Sequence, residues 1–550
     1  MKKAKKYLAI LLILVMVLAL AACGGNKEQP KTPDASNGGN VADPSTSSKP
    51  DTSKPEDSGP KKVRIAVTDV ASNVSPWAGT ATGRHMIIYN LYQPLLERDK
   101  PTGEIKGILM DKYEKVSANT YHVTIHDNIY DGENNHVTAD DVIFSIEMAI
   151  KEGNISGLKF IDSAKKVDDY TVEIVMKSEM DYQFASSVGM INIVTKAAYE
   201  ASPDGMSTTP VSTAPYELTE WSPGTSAILT AKKDYWGAEL ADPSVKSAWH
   251  WFAQDIDVAE YTKISEPSQM SIALETGTID IALFLTQNEA ERFMSNPDYN
   301  VHEIQDTLAY NLFFNCGDNS VLSDKKLRQA ICYAIDAEAV RQANGGYGTM
   351  CYTFGSSEFV DNDPSWKNEG YYEYDRDAAE QLVKDSNYNG EVVRIMVSSA
   401  DSMRTTVAEV VQGFLLDVGI NAQIDPYDSA TFAANKYDET LYDIRVDTNS
   451  FECLADLWNQ FLSAEGHKDG KNYGHFYDET LQGLLDNLTK ADTYTPENIK
   501  AAHEYIKENA FAYSLYSKVN FHVSTKFVEE YVGTAKLYPN VGAWGYNFSA

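Results

Sequence analysis

From Lys62 onward, short stretches of alternating apolar and polar residues are interleaved with stretches of helical spacing. Val63-Arg64-Ile65-Ala66-Val67 alternates and predicts a strand; Tyr121 to Ile125 and Tyr170 to Met176 predict two more. His85 to Leu96 carries apolar residues at helical spacing. Thr138-Ala139-Asp140-Asp141 opens a helix as a capping box, with Thr138 at the N-cap and Asp141 three residues on. Ser268 to Thr276 predicts a helix that Gly277 stops, followed by a strand at Ile279 to Leu283. Tyr310 to Asn315 is a buried-strand candidate, and Asp324 to Ile335 an amphipathic helix. Asp375 to Asp385, Asp478 to Lys490 and Pro496 to Glu508 read as helices. Val392 to Val397, Thr405 to Val418 and Asn421 to Asp425 form a strand–helix–strand unit. Such a unit implies a parallel pair and an α/β layer structure.

The first sixty residues follow different rules. Residues 2–6 are basic apart from Ala4, and Tyr7 to Leu20 is an uncharged, apolar run. The run is short for a bilayer crossing and fits the core of a secretion signal. Leu20-Ala21-Ala22-Cys23 ends it, which resembles a lipobox. In exported lipoproteins a diacylglycerol joins that cysteine's sulfur, and cleavage leaves the cysteine as the new N-terminus. Residues 1–22 are therefore expected to be a lipoprotein signal and Cys23 the lipidated residue. Residues 23–60, rich in Pro, Ser, Lys, Asp, Asn and Gly, cannot bury enough apolar surface to fold and are expected to be a tether. No later segment approaches an uninterrupted membrane-spanning length. The expected location is the outer face of the cell membrane, held by lipid.

A chain of 550 residues exceeds one hydrophobic core, so two or three lobes are expected. The formal net charge is −32, and removing the four leader lysines leaves −36, since the leader holds no acid. Such a surface repels nucleic acid and anionic lipid. Cys316, Cys332, Cys351 and Cys453 show no C-x-x-C pair, and they read either as buried thiols or as containing one disulfide.

Enzyme signatures are missing: no G-x-S-x-G elbow, phosphate-binding loop, dinucleotide fingerprint or H-E-x-x-H. Gly345-Gly346-Tyr347-Gly348 follows a helix and reads as a C-cap turn. His122 and His126 lie in a strand, where a spacing of four does not converge on a metal as it does in a helix. Neither a metal nor a cofactor is expected, and nothing supports a reaction.

Several segments together resemble the bacterial extracellular solute-binding proteins of family 5, the dipeptide, oligopeptide and nickel class that serves ATP-binding-cassette (ABC) importers. They are Asn90-Leu91-Tyr92-Gln93-Pro94-Leu95-Leu96, Asp127 to Val142 with its Thr138-Ala139-Asp140-Asp141-Val142 end, and Thr209-Pro210-Val211-Ser212-Thr213-Ala214-Pro215-Tyr216. Glu220 to Gly224, Tyr235-Trp236-Gly237, Leu274 to Asp280 and Arg328 to Asp336 follow in the family's order.

The resemblance implies an α/β, two-lobed periplasmic-binding-protein-like fold of type II with an extra inserted domain. The expected limits are 61–105 for the first part of lobe I, 106–210 for the inserted domain, 211–307 for the second part of lobe I, 308–520 for lobe II and 521–550 for a C-terminal return to lobe I. It also implies a small-molecule ligand, a peptide first of all, held in the interlobe cleft and passed by a monomer to ABC permease subunits. A nickel chelate, an oligosaccharide, another small solute, or a receptor role without an importer are the alternatives. In peptide-binding members an aspartate of an A-D-Y-x-D-P segment pairs with the ligand's amine. Here that region reads Asp447-Thr448-Asn449-Ser450-Phe451-Glu452-Cys453-Leu454-Ala455-Asp456 and lacks the proline. Asp447, Asn449, Glu452 and Asp456 are the ligand candidates, Glu452 first, against a reading of the acids as solvated loop or cap residues. Asn73, Ser75 and Trp77, in the loop after the first strand, are further candidates, as is Trp458. Core packing is the competing role for both tryptophans.

Overall fold

The computed structural model describes residues 60–78, 82–98, 104–177, 179–240, 250–435, 437–449, 451, 453–464, 472–490, 492–531 and 539–547. The leader, Cys23 and nearly all of the tether lie outside them. The body from Gly59 onward is one compact unit.

Ten strands form one sheet. In chain order they are β1 (Lys62–Val67), β2 (Tyr216–Ser222), β3 (Ser226–Ala231), β4 (Val258–Lys263), β5 (Ile281–Leu285), β6 (Tyr299–Phe314), β7 (Val393–Ser398), β8 (Ala422–Tyr427), β9 (Ile444–Asn449) and β10 (Ala512–Thr525). Across the sheet they run β8-β7-β9-β6-β10-β5-β1-β4-β3-β2. The predicted strand–helix–strand unit is realised as β7, helix Ser402–Asp417 and β8, with β7 and β8 parallel from Val393↔Ala422 to Ser398↔Tyr427. The helix starts a turn earlier than its apolar pattern suggested. Asp401 caps it, accepting from the backbone N–H groups of Met403 and Arg404 at 3.1 Å each.

The two long strands make the fold two-lobed. β6 and β10 pair antiparallel along their length, from Tyr299↔Thr525 to Phe313↔Ala512. At one end β10 pairs with β5, and at the other β6 pairs with β9. Both strands therefore run from one half of the sheet into the other. The register shifts between Gln305 and Ala309, where three residues of β6 oppose one of β10. A bulge there bends both strands and joins the halves by a pair of bent ribbons. The sequence pattern predicts only the last third of β6, because its first part carries His302, Glu303 and Gln305 among its apolar residues.

His85 to Leu96 departs from its predicted helix. A short helix, Thr82–Ile88, is followed by a strand at Leu96–Arg98. Pro94 disfavours helical geometry before it. Asn90 also turns inward: its side chain donates to the Met86 carbonyl at 2.8 Å and accepts from Val541 N–H at 2.8 Å.

Strands Met110–Ser117, Thr120–Ile125, Thr171–Met176 and Ile161–Lys166 form a separate four-stranded antiparallel sheet, in that spatial order. Helix Ala139–Glu152 packs on it through Val142, Ile146 and Ala149. The capping box is present as read: Asp141 Oδ2 accepts from Thr138 N–H at 2.8 Å, and Gly153 closes the helix at φ 67°. Cys316, Cys332, Cys351 and Cys453 are free thiols, and burial pushes that of Cys351 up to about 12.

Candidate functional site

Strand β9 alternates its side chains between two faces. Ile444 and Val446 pack under the helices of their half, in a core with Tyr310, Leu312, Val407 and Val411. Arg445, Asp447 and Asn449 therefore project from the opposite face. Phe313, paired with Arg445, packs there with Phe354, Trp458, Met180 and Tyr182. The last two belong to the segment after the four-stranded sheet, so on this face the two halves of the molecule touch.

Charge on this face is concentrated in one chain of ion pairs. Arg445 is 1% exposed and donates to Asp447 Oδ2 from Nε at 3.0 Å and from Nη2 at 2.6 Å. Its guanidinium lies 3.6 Å from the ring centroid of Phe432. Arg404 Nη1 donates to Asp447 Oδ1 at 2.8 Å, and its Nε donates to Asp401 Oδ2 at 3.0 Å. Asp447 is thus neutralised from both sides, by Arg404 and by Arg445. Its carboxylate binds two guanidinium groups of the protein and is not a lone anchor awaiting an amine.

Beside this chain lies a row of amides and hydroxyls. Asn311 of β6, 1% exposed, faces Asp447 across the strands. Its Oδ1 accepts from Ser514 Oγ at 2.5 Å, and Ser514 Oγ accepts from Gly355 N–H at 2.8 Å. Asn311 Nδ2 and Asn449 Oδ1 are buried and have no hydrogen-bond partner among the described residues. Asn449 faces Ala309, so the two asparagines sit diagonally on one face, roughly 5–8 Å apart at Cβ. One offers a donor and the other an acceptor. Leaving either unmade costs about 1–3 kcal/mol.

Asp456 occupies the first turn of helix Leu454–Leu462 and is half-buried. Tyr182 Oη donates to its Oδ1 at 3.1 Å, and Gln183 Nε2 lies at 3.5 Å. Among the described residues no cation pairs with it, and burial raises its pKa above the usual carboxylate range. Asp361 caps the same helix, accepting from Leu454 N–H at 2.6 Å and Ala455 N–H at 3.1 Å. Burial pushes Asp361 up to about 6, against 3.8 in an open chain. A raised carboxylate opposes folding when it ionises, so its contribution is most favourable below pH 3.8 and is lost as pH rises through 6. Relative to Asp361→Asn, wild type is expected to gain about 2 °C in melting temperature between pH 7 and pH 5. Parallel melting curves that keep a constant offset would refute this.

The remaining sequence candidates fall in different places. Trp77 is 1% exposed; its Nε1 donates to Asn192 O at 2.9 Å and its ring packs on Tyr199 and Phe144. Trp458 is fully buried and donates to Phe354 O at 2.6 Å. Both tryptophans take the core-packing role. Asn73 is exposed, and its Oδ1 accepts from Ser75 N–H at 2.7 Å, which fixes the loop. Glu452 lies outside the described residues.

Reading the sequence did not single out Arg404, Arg445, Asn311, Phe432 or Tyr182. Asn311 carries a signal in retrospect, an amide in the middle of an apolar strand. Arg445 and Asp447 carry another, opposite charges two apart in β9 and so on one face.

Among the described residues no group of three or more His, Cys, Asp or Glu side chains is placed to hold a metal ion. The family model described as "Bacterial extracellular solute-binding proteins, family 5 Middle" matches residues 104–465. The dipeptide-binding protein of Escherichia coli (strain K12) is 23% identical over 486 residues, covering 80% of this chain and 86% of that protein. The oligopeptide-binding protein AppA of Bacillus subtilis, solved in complex with a nonapeptide, superposes with a TM-score of 0.65 at 17% identity, over 89% of this chain and 100% of that one. A nickel ABC transporter structure from Bacillus halodurans superposes with a TM-score of 0.71 at 17% identity, over 88% and 99%.

Proposed function

Because the chain belongs to the bacterial extracellular solute-binding proteins of family 5, we propose that it captures peptides in its interlobe cleft and delivers them to the permease of an ABC importer, without catalysis. Two lobes joined by bent strands close over a ligand and expel water from it. The lobes are divided at 307/308 and 520/521, with residues 106–210 as the inserted domain of the first. The chain acts as a monomer, outside the cell and tethered through a lipid on Cys23. A strongly acidic body has no use for nucleic acid.

The carrying observation is the unpartnered pair Asn311 Nδ2 and Asn449 Oδ1. A peptide group presents a carbonyl acceptor and an N–H donor, the complement of this pair. Any extended peptide brings that complement whatever its side chains. Asp456, half-buried beside Tyr182 and without an ion pair among the described residues, supplies the negative site an α-amino group needs, and Glu452 remains a candidate for the same role.

The test is a melting-temperature panel of di- to hexapeptides against sugars and nickel chelates. A binder adds about 2.7 kcal/mol at a hundredfold excess over its Kd. Peptides are expected to raise the melting temperature; a shift by sugars or nickel chelates alone would overturn the reading. Asn449→Ala is expected to weaken the best peptide about tenfold in calorimetric titration, with the fold unchanged. Unaltered affinity would remove the amide pair from the site.

A further inference from the structure

The face of the sheet opposite the cleft holds a cavity of about 720 Å³ at the point where β6 and β10 cross between the lobes. Tyr310 and Tyr516 line it, and both pack with Ile444 and Val446 on the helix-covered face. One wall is the first lobe: Leu285 at the end of β5 and the following residues to Asn288, with Phe521 of β10. The other is the second lobe: Asn344 to Gly345, Tyr347, and the first turn of helix Ser402–Asp417. Two hydrogen bonds brace the second wall, from Asn344 Nδ2 to Met403 O at 3.2 Å and to Tyr516 Oη at 2.6 Å. Tyr347 reaches across, its ring 5.0 Å from Phe521 and its Oη 3.3 Å from Met294 Sδ of the first lobe. The segment read from sequence as a helix stop is thus also the lip of a cavity shared by both lobes.

Lys518 supplies the chemistry. It lies on β10 at the cavity, half-buried, and its side chain has no hydrogen bond or ion pair with any described residue. The other charged group lining the cavity, Glu291, is exposed and accepts from Gln287 Nε2 at 2.9 Å. An ammonium partly out of water beside aromatic rings favours an anion with a flat apolar body. We propose that this cavity is a second ligand site, distinct from the peptide cleft, for small aromatic or acylated carboxylates. The carboxylate pairs with Lys518 and the ring rests against Tyr310, Tyr516 and Phe521. Both lobes wall the cavity, so its occupant favours the arrangement that also joins Tyr182 to Asp456.

The test is calorimetric titration of the purified full chain with hippurate (N-benzoylglycine) and with its uncharged carboxamide. Hippurate is expected to bind wild type at least tenfold more tightly than the carboxamide does, and Lys518→Met to abolish that difference while keeping the wild-type melting temperature. Lys518→Arg, which keeps the charge, is expected to retain it. A saturating peptide from the melting panel is expected to leave hippurate bound. Equal binding of the two compounds, no binding, binding indifferent to Lys518→Met, or displacement by that peptide would each overturn the second site. None of these outcomes bears on the peptide reading, which the panel decides by itself.

Discussion

Asp447→Ala is expected to cost about 3–5 kcal/mol of stability, more than removing any one exposed charge. The substitution strips two guanidinium groups of their shared carboxylate. Arg445 is 1% exposed and would stay buried against Phe432 with no anion. Arg404 would keep only Asp401. An uncompensated buried charge is far costlier than a lost contact, because the desolvation remains after the attraction has gone. Urea denaturation measures this directly as a fall in the midpoint at constant slope. Replacing both members, as Arg445→Met with Asp447→Leu, is expected to cost clearly less than the two single changes summed. A loss below about 1 kcal/mol for Asp447→Ala would mean that water reaches the pair, and that Asp447 is free to take an amine after all.

Cys23→Ser is expected to move nearly all of the protein from the membrane fraction into the medium. Each buried acyl methylene contributes about 0.8 kcal/mol of membrane hold, so two chains on one sulfur amount to stable anchoring. Among the described residues no helix is long and apolar enough to cross a membrane. The acidic body does not substitute for the anchor, since it is repelled by anionic headgroups. Fractionation of cells carrying the variant, with a blot against the body, reads the outcome. Continued sedimentation with membranes would show that another element holds the chain, and the lipobox reading would fail.

The candidate site was only partly readable from the chain. The acids of 447–456 were identifiable because they interrupt a recognisable family segment. Their roles were not, because a carboxylate's role depends on what stands opposite. Asp447 meets Arg404, 43 residues away, while Asp456 meets Tyr182, 274 residues away. Trp77 posed the same problem: its indole is as suited to a ligand as to a core, and Asn192 and Tyr199 decide for the core.

What the chain determined by itself is what acts over a few residues. Thr138 with Asp141, Asp324 and Asp375 set helix starts, because a cap's acceptor reaches N–H groups two or three residues on. Alternation set β1 and the strands Thr120–Ile125 and Thr171–Met176. The tertiary structure alone decided that β6 begins at Tyr299 and crosses both lobes, since the polar residues of its first part become strand only by pairing with β10. It likewise decided which amides were left unpaired and that a cavity opens behind the hinge. Burial, ion pairing and unmet hydrogen bonds depend on neighbours hundreds of residues apart, and chain closure, not local propensity, brings those neighbours together.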